Sequence, residues 1–399
     1  MMRPLLLLLL LLAGGMVPGA SGAEPKTLRN STVAAITKAQ EQMKAKDFKA
    51  AEATLDRCRE HLGKAPYDQA YLQNVYGYLY LDQQRYDAAL EAFTQAYESH
   101  RLDGGMEQNL LFNMAQLLAM QQRYDEAETR LLAWMKTAKK FRPGDYMLLA
   151  TIEIQLHRYA AAAEAVGKAI AAAPEPVRTH YQTLYYLQYE LGKHDAAVAT
   201  LKKMIALFPP RKEDYLQLSG LLLQGNDTAG ALTVLELAHL QGLLQRKEEL
   251  MRLAQLYVYA GVPLRAGQLL ASQAETERRP EDAKWYMLEA QAWQQAREEG
   301  RALKAYAEAA ARGDGRAYEA AAYLYAGRND PDGVIDTVEK ALAAGTPHAD
   351  AMRLLEGQAL FDKGEYVLAK KVFDAVEAKG RHGKEARQWL DYLASHPAQ

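Results

Sequence analysis

The stretch GYLYLDQQRYDAALEAFTQAY, residues 77–97, alternates small and bulky side chains at helical spacing on either side of a polar break. Gly77, Ala89 and Ala96 are the small positions; Tyr80, Tyr86 and Phe93 are the large ones. At about 3.6 residues per turn these positions share faces, so the stretch describes two antiparallel helices, close at the small residues and interlocked by the large ones. The same spacing recurs in register almost to the C-terminus. An array of such hairpins is therefore expected, with an interaction surface as its product.

The residue that opens each second helix serves as an anchor: Phe48, Tyr86, Tyr124, Tyr159, His194, Thr228, Pro263, Glu299, Pro331 and Tyr366. The mean spacing of about 35 resembles the tetratricopeptide period of 34 residues with tolerated loop insertions. Three residues after the anchors stand Ala51, Ala89, Ala127, Ala162, Ala197, Ala231, Ala266, Ala302, Val334 and Ala369, and four further on stand Leu55, Phe93, Leu131, Val166, Leu201, Leu235, Leu270, Tyr306, Val338 and Phe373. Both sets belong on one apolar helix face. Nine residues before the anchor the first helix carries its own close-contact residue, Gly77, Ala115, Ala150, Ser219, Ala254, Ala290, Ala322 or Gly357. Tyr185 breaks this rule, and locally splayed helices are expected there.

Pro174 and Pro209 punctuate the pattern, because proline stops a helix and sets the next turn. Residues 275–282, 311–316 and 327–333 are weaker breaks, and with Glu299 at an aromatic position they make the eighth and ninth repeats the least regular. Residues 385–393, with Trp389 and Tyr392 turned inward, read as a solitary capping helix that covers the apolar face of the last repeat. The expected fold is all-α, a right-handed α-solenoid of about ten helix-turn-helix units with a C-terminal cap. The expected divisions are 1–23 leader, 24–30 linker, 31–382 repeats and 383–399 cap and tail. Asn30, Ser31 and Thr32 offer capping oxygens for the first helix. Asn30 and Asn226 also fit the glycosylation triplet, but capping and turn roles explain them better.

The N-terminus runs from Arg3 through eight leucines, Leu5 to Leu12, to Gly14, Gly15, Pro18 and the small residues Ser21 and Ala23. This is the pattern of a secretory leader cleaved near Ala23, and its apolar run is shorter than the roughly 20 residues that span a bilayer. The expected location is periplasmic, with no membrane insertion after cleavage. Cys58, the single cysteine, reads as a buried small hydrophobe. With 48 Lys+Arg against 50 Asp+Glu and a net charge of −2, the chain lacks the basic footprint of a nucleic-acid binder.

Catalytic and metal-binding constellations are missing from the sequence. There is no H-E-x-x-H, no phosphate-cradling G-x-x-x-x-G-K-[ST] and no G-x-S-x-G, and the nine histidines contain no pair at helical i,i+3 or i,i+4 spacing. His194 reads as a turn residue, and the pairs Glu298–Glu299 and Asp330–Asp332 as solvated turn charges. No enzyme activity, cofactor or metal is expected.

In a tetratricopeptide stack the first helix of each pair lines the concave face. Units two to five place Tyr71, Asn74, Tyr78 and Leu81, then Asn109, Phe112, Gln116 and Ala119, then Gly144, Met147, Thr151 and Ile154, then Thr179, Gln182, Tyr186 and Tyr189 on it. None of the sixteen is charged, although 25% of the chain is. The Lys and Arg of a carboxylate clamp are missing there. Aromatics, Met, Asn and Gln suit an extended peptide, with amides bonding its backbone and rings covering apolar side chains. The candidate binding residues are Tyr71, Asn74, Tyr78, Asn109, Phe112, Gln116, Met147, Thr151, Gln182, Tyr186 and Tyr189.

Longer matches lie in the second half. LELAHLQGLL at 235–244, RLAQLYVYAGVPLRAGQLL at 252–270, AQAW at 290–293, LLEGQALFDKGEYVLAKKVF at 354–373 and ARQWLDYL at 386–393 resemble the exported tetratricopeptide proteins encoded beside TonB, ExbB and ExbD. The resemblance covers roughly residues 32–393. It implies a periplasmic scaffold that assists energised outer-membrane uptake of iron chelates or similar nutrients, with TonB or ExbD periplasmic domains as partners. The alternative is a scaffold for envelope assembly or polysaccharide export.

Overall fold

The computed structural model describes residues 27–274, 281–376 and 380–396. The expected leader and its cleavage position near Ala23 therefore lie outside the described residues, as does most of the break at 275–282. Among the described residues there are twenty-one α-helices and no strand. Ten pairs follow one another: α1 (Asn30–Lys44) and α2 (Phe48–His61), α3 (Pro66–Asp82) and α4 (Tyr86–Glu98), α5 (Gly104–Met120) and α6 (Tyr124–Thr137), α7 (Pro143–Gln155) and α8 (Tyr159–Ala172), α9 (Arg178–Glu190) and α10 (His194–Leu207). Then come α11 (Lys212–Gln224) and α12 (Thr228–Leu240), α13 (Lys247–Tyr259) and α14 (Pro263–Ala274), α15 (Ala283–Gln295) and α16 (Glu299–Ala311), α17 (Arg316–Gly327) and α18 (Pro331–Ala343), α19 (Ala349–Asp362) and α20 (Tyr366–Asp374), closed by α21 (Arg381–Ser395).

All ten anchors are the first residue of a second helix. The positions three residues later are buried to 2% exposure or less, and so are those seven residues later. The eighth and ninth repeats, expected to be irregular, form ordinary pairs, because Ala302, Tyr306, Val334 and Val338 still fill the core positions and Glu299 sits at the solvent-facing helix start.

The turn inside each pair has one geometry. Two residues before every anchor the backbone enters the left-handed region, at Lys46, Gln84, Gln122, His157, Gly192, Asn226, Gly261, Arg297, Asn329 and Gly364, with φ between 53° and 81°. In the second repeat Arg85 N–H then donates to the Tyr80 carbonyl at 2.8 Å, and in the third Arg123 N–H to Leu118 at 2.9 Å. This reversal satisfies carbonyls that a helix end leaves orphaned. Five of the ten turns use a side chain other than Gly or Asn, at a cost of about 1–2 kcal/mol each for L-residues. Gln84→Gly is therefore expected to stabilise the protein by about 0.5 kcal/mol after its own entropy penalty, readable as a small rise in Tm.

A second regularity is a buried acid. Asp68, Asp145, Asp214 and Glu249 each stand third in a first helix and are 3–5% exposed. Asp145 accepts the Arg142 backbone N–H at 2.7 Å, and Glu249 that of Arg246 at 3.1 Å, so each carboxylate satisfies a donor at the start of its own helix. Asp68 reaches further back. It accepts the Arg29 N–H at 3.1 Å and the Thr32 hydroxyl at 2.5 Å. This corrects the expected capping by Asn30, Ser31 and Thr32. These residues lie inside α1, Thr32 is fully buried, and the acceptor at the start of α1 comes from α3. Asn226, in contrast, takes the turn role expected of it, at φ 60°.

Two further expectations change. Cys58 is half-buried rather than buried, packing beside the core of the first two repeats. Tyr392 is 47% exposed and so only partly covered, although its ring does turn towards α19, meeting Phe361 edge-on at 5.7 Å and Trp389 at 6.4 Å. It stacks on His396 at 4.4 Å from outside, while Ala386, Trp389, Leu390 and Leu393 make the seam of α21 against α20 and α19.

The chain divides into two compact units, one through Leu191 and one from Gly192. The division falls in the turn between α9 and α10, in the repeat where Tyr185 replaces the small residue. Within the first unit one core runs from Ala70 to Ile152 across successive repeats. Within the second, α18 packs on α19 and α19 on α20 in the same fashion.

Candidate functional site

All of the candidate residues lie in the first unit, on α3, α5, α7 and α9. Their helices start firmly. Pro66 and Pro143 occupy first-turn positions where the missing N–H costs nothing, and Asp103 accepts the Met106 N–H at 2.8 Å to open α5. From these starts the helical period turns the sixteen uncharged positions to one side of each helix. None of them is fully buried.

The side chains differ in how available they are. Tyr71, Tyr78 and Phe112 are half-buried and pack on the same core. The Tyr78 hydroxyl accepts from Asn113 Nδ2 at 2.9 Å, and its ring meets Phe93 edge-on at 5.2 Å. Burial raises the Tyr78 phenol above its ordinary pKa, which the amide bond partly offsets. Phe112 lies on Trp134 at 4.7 Å. These three rings therefore join repeats as well as face outward. Met147 is half-buried on the next core cluster, and Asn74, Gln116 and Gln182 are half-buried.

Asn109, Thr151, Tyr186 and Tyr189 are exposed. Thr151 donates its hydroxyl to the Met147 carbonyl at 2.8 Å, so its oxygen remains open as an acceptor. Tyr186 and Tyr189 are 42% and 41% exposed, their rings propped by Tyr159 and Tyr185 at 6.4 Å in each case. Two residues were missed from the sequence. Asn113 ties Tyr78 across the repeat, and Met120, 55% exposed, continues the stripe of Phe112 and Gln116 at the next i+4 step. That i+4 spacing was the signal for Met120; Asn113 had none, since its role depends on the neighbouring repeat.

Among the described residues no group of three or more His, Cys, Asp or Glu side chains is placed to hold a metal ion. No described helix is long and apolar enough to cross a membrane.

A family model of the tetratricopeptide repeat matches residues 36–105, 75–143, 147–212 and 319–384, together more than half of the chain. The chain belongs to the tetratricopeptide repeat family. No curated protein matches it. Among solved structures, the repeat protein from Parabacteroides merdae is 17% identical over 66% of this chain and 99% of its own, with a TM-score of 0.39. The Naa15/Naa10 complex bound to HypK-THB is 15% identical over 92% of this chain and 68% of that one, with a TM-score of 0.49. MamA 41-end from Desulfovibrio magneticus is 16% identical over 45% and 97%, with a TM-score of 0.37. As a tetratricopeptide chain the protein is a scaffold for protein–protein interaction.

Proposed function

We propose that the protein is a periplasmic scaffold assisting TonB–ExbB–ExbD energised nutrient uptake, and that it holds an extended partner segment along the uncharged side of α3, α5, α7 and α9. The observation that carries the binding mode is that all sixteen positions on this side are uncharged and none is buried, with propped aromatic rings at Tyr186 and Tyr189. Rings fixed in this way offer large apolar contact at little conformational cost, and the open amides of Asn74, Asn109, Gln116 and Gln182 match a peptide backbone. The TonB assignment rests on the resemblance of residues 235–270 and 354–393.

Binding of the purified protein to TonB and ExbD periplasmic domains tests it by titration calorimetry. Tyr186→Ala with Tyr189→Ala is expected to weaken binding at least about tenfold, with helicity and Tm little changed because both side chains are exposed. Unchanged affinity would move the site off this side. Absence of binding to either domain would remove the TonB assignment.

A further inference from the structure

A cleft of about 490 Å³ opens in the first unit between α2, α3 and α4. Its size falls in the range of small-ligand sites, about 300–1,000 Å³. Its base, Leu62, Ala70 and Leu72, is only 2–3% exposed, so the polar walls decide what it takes. They are Arg59, Gln69, Gln73, Gln95, Ser99 and Arg101, with no carboxylate among them. At about 100° per residue, Gln69 and Gln73 lie about 140–180° round α3 from Tyr71 and Tyr78, so the cleft is apart from the uncharged side.

The walls divide by what their side chains still offer. Arg59 is held in place, donating Nη2 to Asp56 at 2.8 Å with its guanidinium 5.4 Å over the Tyr76 ring, and its other N–H groups have no partner among the described residues. Arg101 has no ion pair among the described residues. Ser99 fixes the loop beneath it, donating its hydroxyl to the Ala96 carbonyl at 2.6 Å and accepting the Arg101 backbone N–H at 3.3 Å. Two guanidinium groups therefore offer donors to one space. The glutamines offer the reverse. Gln69 Nε2 is turned to the Gly63 carbonyl at 2.8 Å and Gln95 Nε2 to the Glu91 carboxylate at 3.1 Å, which leaves their oxygens as acceptors. The Gln73 amide has no hydrogen-bond partner among the described residues.

A ligand that answers this set carries an oxyanion and hydroxyls together. A phosphate group has more oxygens than a carboxylate, so it can accept from both guanidinium forks at once, and the amide oxygens call for hydroxyl donors beside it. We infer that this cleft binds a phosphorylated polyol, its phosphoryl oxygens on Arg59 and Arg101 and its hydroxyls on Gln69, Gln73 and Gln95. The site is independent of the peptide reading above.

Glucose 6-phosphate, titrated calorimetrically into the full chain, is expected to bind saturably, with glucose and inorganic phosphate each at least about tenfold weaker. Arg101→Ala should weaken it about tenfold or more and Arg101→Lys less, since lysine keeps the charge without the fork. Gln73→Ala separates the two halves of the site: it weakens glucose 6-phosphate and leaves inorganic phosphate unchanged. Vesicles of equal parts phosphatidylglycerol and phosphatidylcholine fix the source. Binding to them that Arg101→Ala abolishes assigns a lipid headgroup, binding of the sugar phosphate alone assigns a free ligand, and both support the site. Inorganic phosphate or glucose binding as tightly as the ester, full affinity in folded Arg101→Ala, displacement of the ester by an equal concentration of an acetylated tripeptide acid, or no binding of either the ester or the vesicles would overturn it.

Discussion

Gly77→Ala is expected to destabilise the first unit by about 3 kcal/mol, although alanine is the better helix former by about 1 kcal/mol. A Cβ on Gly77 would stand 2.3 Å from Phe93 Cδ1 and Cε1, and Phe93 is 0% exposed, so the ring has no space to yield. The same lock recurs in the last repeat, where a Cβ on Gly357 would meet Phe373 Cε1 at 2.4 Å. Repeats with Ala at this position mostly carry a smaller partner, as in Ala115 with Leu131 or Ala150 with Val166. Phe93→Leu in the Gly77→Ala background rebuilds the Ala115–Leu131 pairing and is expected to recover at least about 1 kcal/mol, a coupling that contacting residues commonly show. Thermal or urea melts of both single variants and the double variant measure it. Additive losses would show that the two positions do not share the contact.

Acid should loosen the second unit through Glu249. Its carboxylate is 5% exposed and receives Lys212 Nζ at 2.8 Å, Arg246 Nε at 2.7 Å, and the backbone N–H groups of Gln245 and Arg246 at 3.0 and 3.1 Å. Burial alone would raise its pKa; the ion pair with Lys212 and the bonds from Arg246 and Gln245 outweigh burial and hold it at about 2. A depressed folded pKa means that the unfolded chain takes the proton first. The contribution is therefore complete above the ordinary value of 4.5 and disappears as pH falls towards 2. At about 1.4 kcal/mol per pH unit it amounts to about 3 kcal/mol. Glu249→Gln is expected to cost about that much at pH 7, since it strands Lys212 beside a neutral group, and much less at pH 2. Parallel losses at both pH values would show that the charge is not what holds α11 to α13.

The helical pairs were legible in the sequence because each repeat spends its strongest signals on the same three places, an anchor, a small residue after it and an apolar residue beyond. Ten copies of a weak pattern make a strong one, which is why Glu299 and His194 open helices despite being poor anchors. What stayed hidden depends on a partner from another helix. Asp68 is a surface residue by type and a buried acceptor for Arg29 and Thr32 in the fold, so the start of α1 was assigned to the wrong side chain. Tyr392 follows the inward stripe of α21 and reaches Phe361, but lies too near the helix end to be fully covered. Of the candidate residues, an aromatic at Tyr78 and one at Tyr186 look alike in sequence; only the positions of Asn113 and Tyr159 show that the first is tied to the next repeat and the second stands open.

The glycine–phenylalanine locks bear on how such a chain can be rearranged. Gly77 and Phe93 sit on different helices of one hairpin, as do Gly357 and Phe373. Grafting α4 alone behind α5, or α20 behind α17, would drive a phenylalanine into an alanine where a glycine is required. Whole hairpins carry both halves of the fit with them. Duplication, deletion or recombination that moves either of these two hairpins is thus viable in steps of its complete pair, and the two are modules that travel intact or not at all.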